Sequence, residues 1–469
     1  MDRFYDSGRM REMRSLEEQY ANDGFKFAVI YGRRRVGKTR LISEFISNNR
    51  KKAIRFTATE DTDVVNRERF SQRIFATYPE LSSLVCFPTW ESAFDYIVKQ
   101  ARGEKLIVEI DEYPYLARAN RAISSELQMC IDTFMQDADM LLILCGSSVS
   151  FMEDQVLGYQ SPLYGRRTSQ YRIMPLDYYD SAEFFGNAGA EDKLLGYAAA
   201  GGIPPYLNAI AKETTVERGI ARAFFTKEGF LYEEPQNLLK QELREPALYN
   251  SIIATIAGGS TKLGETAAKV KEEDSKVAKY IKTLIGLGIL EKDVSMLSKN
   301  ERNGIYRIKD NMYRFWYYFV PESVTLIENG YEHTYEKRVE PFISDYMGPA
   351  FETICKQYLM RLNVKNRLPF LFNDIGKWWG GNPITKEETE IDVVAANKGQ
   401  LIIGECKWKN KKTGLDVYRE LKEKAAIFAD KDIFYFIFSK SDFTLGLTEE
   451  AEGDDKLTLV GLDDLFRVK

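Results

Sequence analysis

Residues Gly32-Arg33-Arg34-Arg35-Val36-Gly37-Lys38-Thr39 fit the spacing G-x-x-x-x-G-K-[ST]. Glycines at the fixed positions let a backbone curl until its N–H groups point inward at phosphate oxygens, and a helix N-terminus behind such a loop favours an anion. Lys38 then brings a positive charge to the β- and γ-phosphates, and Thr39 offers a hydroxyl to Mg²⁺. Arg33, Arg34, Arg35, Val36 and Arg40 join the nucleotide-binding set by their place in or beside the loop. The bland alternative, a basic turn leading into a surface helix, is disfavoured by the apolar strand before the loop and the helical pattern after it.

A second group of residues completes this chemistry. The apolar run LIVEIDEYPYL carries Asp111 and Glu112 at its end. An acidic residue at the tip of a buried strand can hold a magnesium shell, which assigns Asp111; Glu112 is then placed to orient and polarise an attacking water. A small-molecule kinase has no need of this pair, so hydrolysis is favoured over phosphoryl transfer. The strand LLILCG ends in Ser147-Ser148. Ser147 there could sense the γ-phosphate, with a plain turn as the alternative. Arg166 and Arg167, in YGRRT, could stabilise charge on the transferring phosphoryl group, in cis or from a neighbouring copy. A solvated arginine pair is the competing reading.

Different chemistry is suggested near the carboxyl end. Asp392 is expected to end one strand, and Glu405-Cys406-Lys407 to lie on the next. Strand alternation places Glu405 and Lys407 on one face, beside Asp392 if the two runs form a hairpin. Two carboxylates, Asp392 and Glu405, can bind Mg²⁺ and lower the pKa of its water, while a lysine positions the nucleophile. Glu352, in a preceding helical stretch, could complete the set. Such a constellation would cut phosphodiesters; chance strand-end charges are the alternative. DNA is the expected substrate or partner. Lys276, Lys279 and Lys282 recur at i, i+3, i+6, and KWKNKK adds Lys407, Lys409, Lys411 and Lys412. Against a strong patch stand Glu272, Glu273 and Asp274.

The elements that must position these residues follow from periodicity. Apolar strands Phe25 to Gly32, Lys105 to Glu112 and Asp139 to Ser148 alternate with helical patterns, the signature of a parallel α/β sheet. The last two runs are nearly continuous in apolar residues, as strands buried on both faces should be. SSELQMCIDTFMQ reads as a crossover helix between them. LLGYAAAGGIPPYLNAI suggests a small helical lid, broken at Gly201-Gly202 and Pro204-Pro205. Between Pro246 and Leu297 three helices precede a short hairpin, the layout of a winged helix-turn-helix. From about Pro341 onward a helix leads into strands ETEIDVVAAN, QLIIGECKW and DIFYFIFSK, with a charged helix between the last two. The expected domains are 1–235, 240–320 and 340–469.

Composition bounds the possibilities. A chain of 469 residues exceeds one ordinary core, so roughly two to four domains are expected. With 44% hydrophobic and 29% charged residues, the chain reads as globular and soluble. No apolar stretch is long enough to span a bilayer, and the start lacks a signal peptide's apolar segment, so no membrane partner and a cytoplasmic location are expected. The five scattered cysteines show no CxxC spacing, which argues against a disulfide framework or a zinc site. The single histidine, His333, sits in a polar and aromatic stretch and reads as a solvated linker residue, which argues against triads that need histidine. A net charge of -5 does not predict a strong sequence-blind grip on nucleic acid.

The segment Phe4 to Met13, with GRRRVGKTRLI, FTATE, FPTWESAFDYI, LIVEIDEYPYL, CGSSVSFM and SPLYGRRT, resembles the archaeal-type ATPases of the STAND/AAA+ branch of P-loop proteins. The resemblance extends through GGIPPYL and the winged helix. It implies ATP as the nucleotide, Lys38 and Thr39 on phosphate and Mg²⁺, Asp111 and Glu112 as metal and water residues, and Arg166 or Arg167 as an arginine finger. GPAFETICKQYL and EIDVVAANKGQLIIGECKW resemble that family's C-terminal domain, which looks like the PD-(D/E)xK nuclease fold. The expected fold class is therefore α/β: a P-loop NTPase parallel sheet with helical lid, a winged helix-turn-helix and a C-terminal restriction-endonuclease-like domain. The expected function is a nucleotide-controlled, DNA-associated ATPase with a metal-dependent nuclease-like domain; a homo-oligomer stays open. Two rivals are a non-cleaving regulator or adaptor whose C-terminal domains bind protein or DNA, and a kinase using the loop for transfer.

Overall fold

The structure, a computed structural model, describes residues 8–48, 51–81, 86–101, 105–298, 304–382 and 386–468. Residues 4–7 of the opening segment and 299–303 of the expected hairpin lie outside them. The chain divides into two compact units, residues 1–175 and 176–469.

The first unit is built on five parallel strands: β1 (Lys26–Tyr31), β2 (Ala53–Thr57), β3 (Leu106–Asp111), β4 (Met140–Gly146) and β5 (Ser169–Arg172). Their order is β2-β3-β4-β1-β5, with every pair parallel. Every residue of β3 and β4 is buried, which explains their continuous apolar runs. The expected crossover helix is present as Ile123–Thr133. Phe70 packs on Trp90 and Phe94 with ring centroids 5.3 and 5.5 Å away. Such fully buried aromatic side chains each contribute about 1.5–3 kcal/mol. The helix carrying Trp90 and Phe94 is started by Thr89, whose hydroxyl accepts from the Ser92 N–H at 3.1 Å. One consequence matters for function. Because β4 lies between β1 and β3, the carboxyl ends of the three strands are neighbours, and Gly32, Ser147 and Asp111 share one edge of the sheet.

The second unit opens with helices. Ala190–Ala200, Pro204–Ala211, Val216–Phe224 and Glu234–Glu242 include the segment read as a lid. The break between the first two is fixed by backbone geometry: Gly201 has φ 67°, and a Cβ on Gly202 would lie 1.7 Å from the Leu176 carbonyl oxygen. Helices Pro246–Ala257, Leu263–Val270 and Asp274–Gly286 follow, then the antiparallel pair β6 (Leu290–Asp293) and β7 (Ile305–Ile308). The aromatic helix Asn311–Phe319 buries Phe315 and Trp316, and the Trp316 indole N–H donates to the Tyr232 carbonyl at 2.6 Å.

A 22-residue helix, Ile343–Val364, then introduces a second five-stranded sheet: β8 (Asp374–Gly381), β9 (Glu388–Ala396), β10 (Gln400–Lys407), β11 (Asp432–Ser439) and β12 (Leu457–Val460). Its order is β12-β11-β10-β9-β8. The first three strands are antiparallel neighbours, whereas β10, β11 and β12 run parallel. Helix Leu415–Ala425 connects β10 to β11, and Leu445–Gly453 connects β11 to β12. The three expected strands are β9, β10 and β11; β8 and β12 add to them. Among the described residues no helix is long and apolar enough to cross a membrane.

Candidate functional site

The loop after β1 has the conformation its glycines permit. Gly32 adopts φ 155°, Arg35 φ 65° and Gly37 φ 104°. A Cβ on Gly32 would meet the Ile173 carbonyl oxygen at 2.4 Å, so the position takes only glycine. Helix Lys38–Ser47 starts on Gly37 without a side-chain cap and without an acidic residue in its first turn. Its leading N–H groups are thus presented to an anion. Lys38 is buried, and its ammonium donates to the Gly32 and Arg33 carbonyls at 2.8 and 2.9 Å. Val36 is buried, so only its backbone can face a ligand. Arg34 donates to the Tyr115 hydroxyl at 2.6 Å. Arg40 pairs with Glu44 one turn along the helix.

The other strand tips meet this loop. The Thr39 hydroxyl donates to Asp111 Oδ2 at 3.1 Å, bringing together the two residues expected to hold magnesium. A hydroxyl and a carboxylate are the hard oxygen donors that ion takes. Asp111 Oδ1 accepts from the Glu112 N–H at 2.9 Å. Glu112 sits at φ 52°, a left-handed turn that starts helix Tyr113–Ala119 and turns its side chain toward β4. There Glu112 Oε2 accepts from the Ser147 hydroxyl at 2.8 Å and the Ser147 N–H at 3.3 Å. Ser147, expected to sense phosphate, thus holds Glu112. Burial, with Asp111 close by, pushes the Cys145 thiol well above its usual pKa, keeping that group uncharged behind the site. Tyr115, the partner of Arg34, escaped the sequence reading because its only signal was a place three residues beyond Glu112.

Arg166 donates through Nε and Nη2 to the two oxygens of Asp132 at 2.8 and 2.6 Å, and through Nη1 to the Pro162 carbonyl at 3.0 Å. Arg167 lies over the Tyr164 ring, 5.9 Å from its centroid. These partners all belong to the segment around the pair or to helix Ile123–Thr133.

The second cluster lies on the C-terminal sheet. Strands β9 and β10 form the hairpin on which the sequence argument depended, with Gly404 opposite Val393; Asp392 lies in the middle of β9 rather than at its end, because the apolar residues after it continue the strand. Asp392 Oδ2 accepts from the Cys406 N–H at 2.9 Å. Glu405 is buried, and its oxygens accept from Lys407 at 2.6 Å and Lys424 at 3.1 Å. Glu352, Glu390 and Asp392 each offer a carboxylate oxygen within 4.8 Å of the others. Into this trio projects Lys377 of β8, 3.1 Å from Glu352, 3.9 Å from Asp392 and in direct contact with Glu390. Burial works against the Lys377 charge, yet Glu352, Glu390 and Asp392 outweigh it and raise its pKa. Burial first, then Glu405 and Glu352, push the Asp392 carboxyl up to about 7. Glu352, Asp392, Glu405 and Lys407 therefore come together as expected, while Lys377 and Glu390 were missed. Glu390 had a signal, since it precedes Asp392 by two positions on one strand and so shares its face. Of the lysines linked to DNA, Lys279, Lys282, Lys409, Lys411 and Lys412 are exposed, whereas Lys276 pairs with Glu272 at 2.9 Å.

Comparison with known proteins gives a consistent picture. A family described as an ATPase domain predominantly from Archaea matches residues 4–210. Another, of archaeal and bacterial proteins of unknown function, matches residues 316–423. An uncharacterized protein of Methanocaldococcus jannaschii, MJECL04, is 32% identical over 441 residues, spanning 92% of this chain and 95% of that protein. A second protein of that organism, MJ0424, is 36% identical over 55 residues, 12% of this chain and 53% of its own length. Among solved structures, the Walker-type ATPase PABY2304 of Pyrococcus abyssi superposes with a TM-score of 0.53 at 20% identity, covering 66% of this chain and 95% of that one. At that identity the likeness is one of fold.

Proposed function

Because the chain belongs to the family of MJECL04 and carries an archaeal-type ATPase domain, we propose that it is a nucleotide-controlled, DNA-associated ATPase with a divalent-metal nuclease-like domain. The ATPase activity is supported by the archaeal ATPase domain over residues 4–210. The observation that carries the site assignment is the 3.1 Å bond from Thr39 to Asp111, which joins the phosphate loop to the acidic tip of β3.

In this reading Lys38 exchanges the Gly32 and Arg33 carbonyls for the β- and γ-phosphates of ATP. Thr39 and Asp111 would hold Mg²⁺, which when bound neutralises charge developing on the phosphates. Glu112, fixed by Ser147, orients the attacking water. Arg166 and Arg167 supply further positive charge, in cis or from a second copy of the chain. The ATPase with its lid is assigned to 1–235, a winged helix to 240–320 and the nuclease-like domain to 340–469. The three helices followed by the β6–β7 pair support the winged helix. The order helix, three antiparallel strands, helix, parallel strand supports the restriction-endonuclease-like assignment, as does the convergence of Glu352, Asp392, Glu405 and Lys407. Mg²⁺ held by Asp392 and Glu405 would supply the attacking hydroxide there, with Lys407 steadying it. Exposed Lys279, Lys282, Lys409, Lys411 and Lys412 would meet the phosphate backbone.

Purified protein incubated with plasmid and Mg²⁺ or Mn²⁺ tests the cleaving role. Cleavage lost in Asp392→Ala supports it, and cleavage that survives the substitution removes the site. One observation favours a second reading, a regulator that binds without cutting: the Lys377 ammonium already occupies the space between Glu352 and Asp392, where it competes with a metal. DNA bound but never cut, in either metal, would decide for that reading.

A further inference from the structure

In an anion cradle the backbone N–H groups face inward, so the carbonyls of the same peptides face outward, and a buried outward carbonyl needs a donor. Planar trans geometry makes the two ends inseparable: when the carbonyl points one way, its N–H points the other. The peptide joining Val36 to Gly37 is such a unit. The chain turns sharply on either side of it, with Arg35 at φ 65° and Gly37 at φ 104°.

The donor behind this peptide comes from far away in sequence. Arg9 Nη2 donates to the Val36 carbonyl at 3.2 Å and to the Met174 carbonyl at 2.6 Å. Met174 directly follows Ile173, the residue whose carbonyl limits Gly32 to glycine. One guanidinium thus ties the far end of the phosphate loop to the segment on which its near end rests. The Arg9 backbone is itself fixed, because the Met13 N–H bonds to the Arg9 carbonyl at 2.9 Å and begins helix Met10–Ala21. Arg9 is only 3% exposed, and Glu12 lies 3.8 Å from its Nη1. Burying a guanidinium is expensive unless its N–H groups are met. Here Nη2 meets the carbonyls of both Val36 and Met174, so the side chain fixes geometry on the outer side of the loop.

We infer that Arg9 is a positioning residue for ATP binding: it holds the Val36 carbonyl outward, and thereby the Gly37 N–H inward, before nucleotide arrives. Affinity for the phosphates then depends on Arg9, whereas the hydrolysis step, carried by Glu112 and its water, does not.

ATPase kinetics and fluorescent-ADP titration of the full chain test this, with Arg9→Met, Arg9→Gln and Arg9→Lys beside the wild type. Methionine keeps the packing of the stem but cannot donate. Losing a charge-assisted bond of this kind should raise KM for ATP and Kd for ADP about tenfold or more, with kcat at saturating ATP within about twofold of wild type. Lysine, which restores a cationic donor, should recover part of the loss. A merely structural role would lower the yield of folded protein, or kcat, and leave KM where it was. An unchanged KM in Arg9→Met overturns the inference. If that variant does not fold, Arg9→Gln, with a shorter reach, decides in the same way.

Discussion

Glu112 is held at both ends, its N–H by Asp111 and its carboxylate by Ser147, which fixes the proposed base in place where a surface acid would be mobile. Glu112→Gln keeps the shape but not the basicity. It should reduce ATP turnover about 10²–10⁴-fold while leaving ADP affinity unchanged; a single-turnover assay with a binding titration separates the two. Lys38→Ala should instead remove binding. The raised Asp392 carboxyl gives a prediction of opposite character. Its ordinary value is 3.8 and its folded value about 7, so between these limits the unfolded chain loses this proton before the folded one does. The contribution of Asp392 to stability is therefore complete below about pH 4 and is lost as pH rises through about 7. Melting curves of wild type and Asp392→Asn across that window should converge at low pH. At high pH the asparagine variant should gain relative to wild type.

At the level of elements, much of the architecture was legible in the sequence, and the exceptions have physical reasons. β3 and β4 announced themselves because strands covered on both faces must be apolar throughout. The loop between β1 and its helix was legible because its fixed positions need particular residues; Gly32→Ala would press a methyl group against the Ile173 carbonyl. That substitution should weaken nucleotide binding about tenfold or more, at a cost in strain of about 1–3 kcal/mol, measurable by the same ADP titration. β8 was missed because Asp374–Gly381 contains three glycines and no clean alternation, and β12 because four residues are too few for a period. Lys377 was invisible for the same reason as its strand. Arg9 was invisible because its partners, Val36 and Met174, are backbone carbonyls, and carbonyls leave no trace in residue type.

On the scale of the whole molecule, the candidate nucleotide site lies in residues 1–175 and the carboxylate cluster in residues 176–469. If nucleotide controls the second, plasmid cleavage in the presence of ATP should fall in Lys38→Ala. DNA retention by the exposed lysines should weaken steeply with added salt, as phosphate contacts require. The ammonium of Lys377 has a last consequence. Part of the carboxylate charge is met by this counter-ion without any metal, so chelation should leave the melting temperature of the protein almost unmoved. A divalent ion must then win its place by competition, and the Lys377→Met variant should load at lower metal concentration than the native chain.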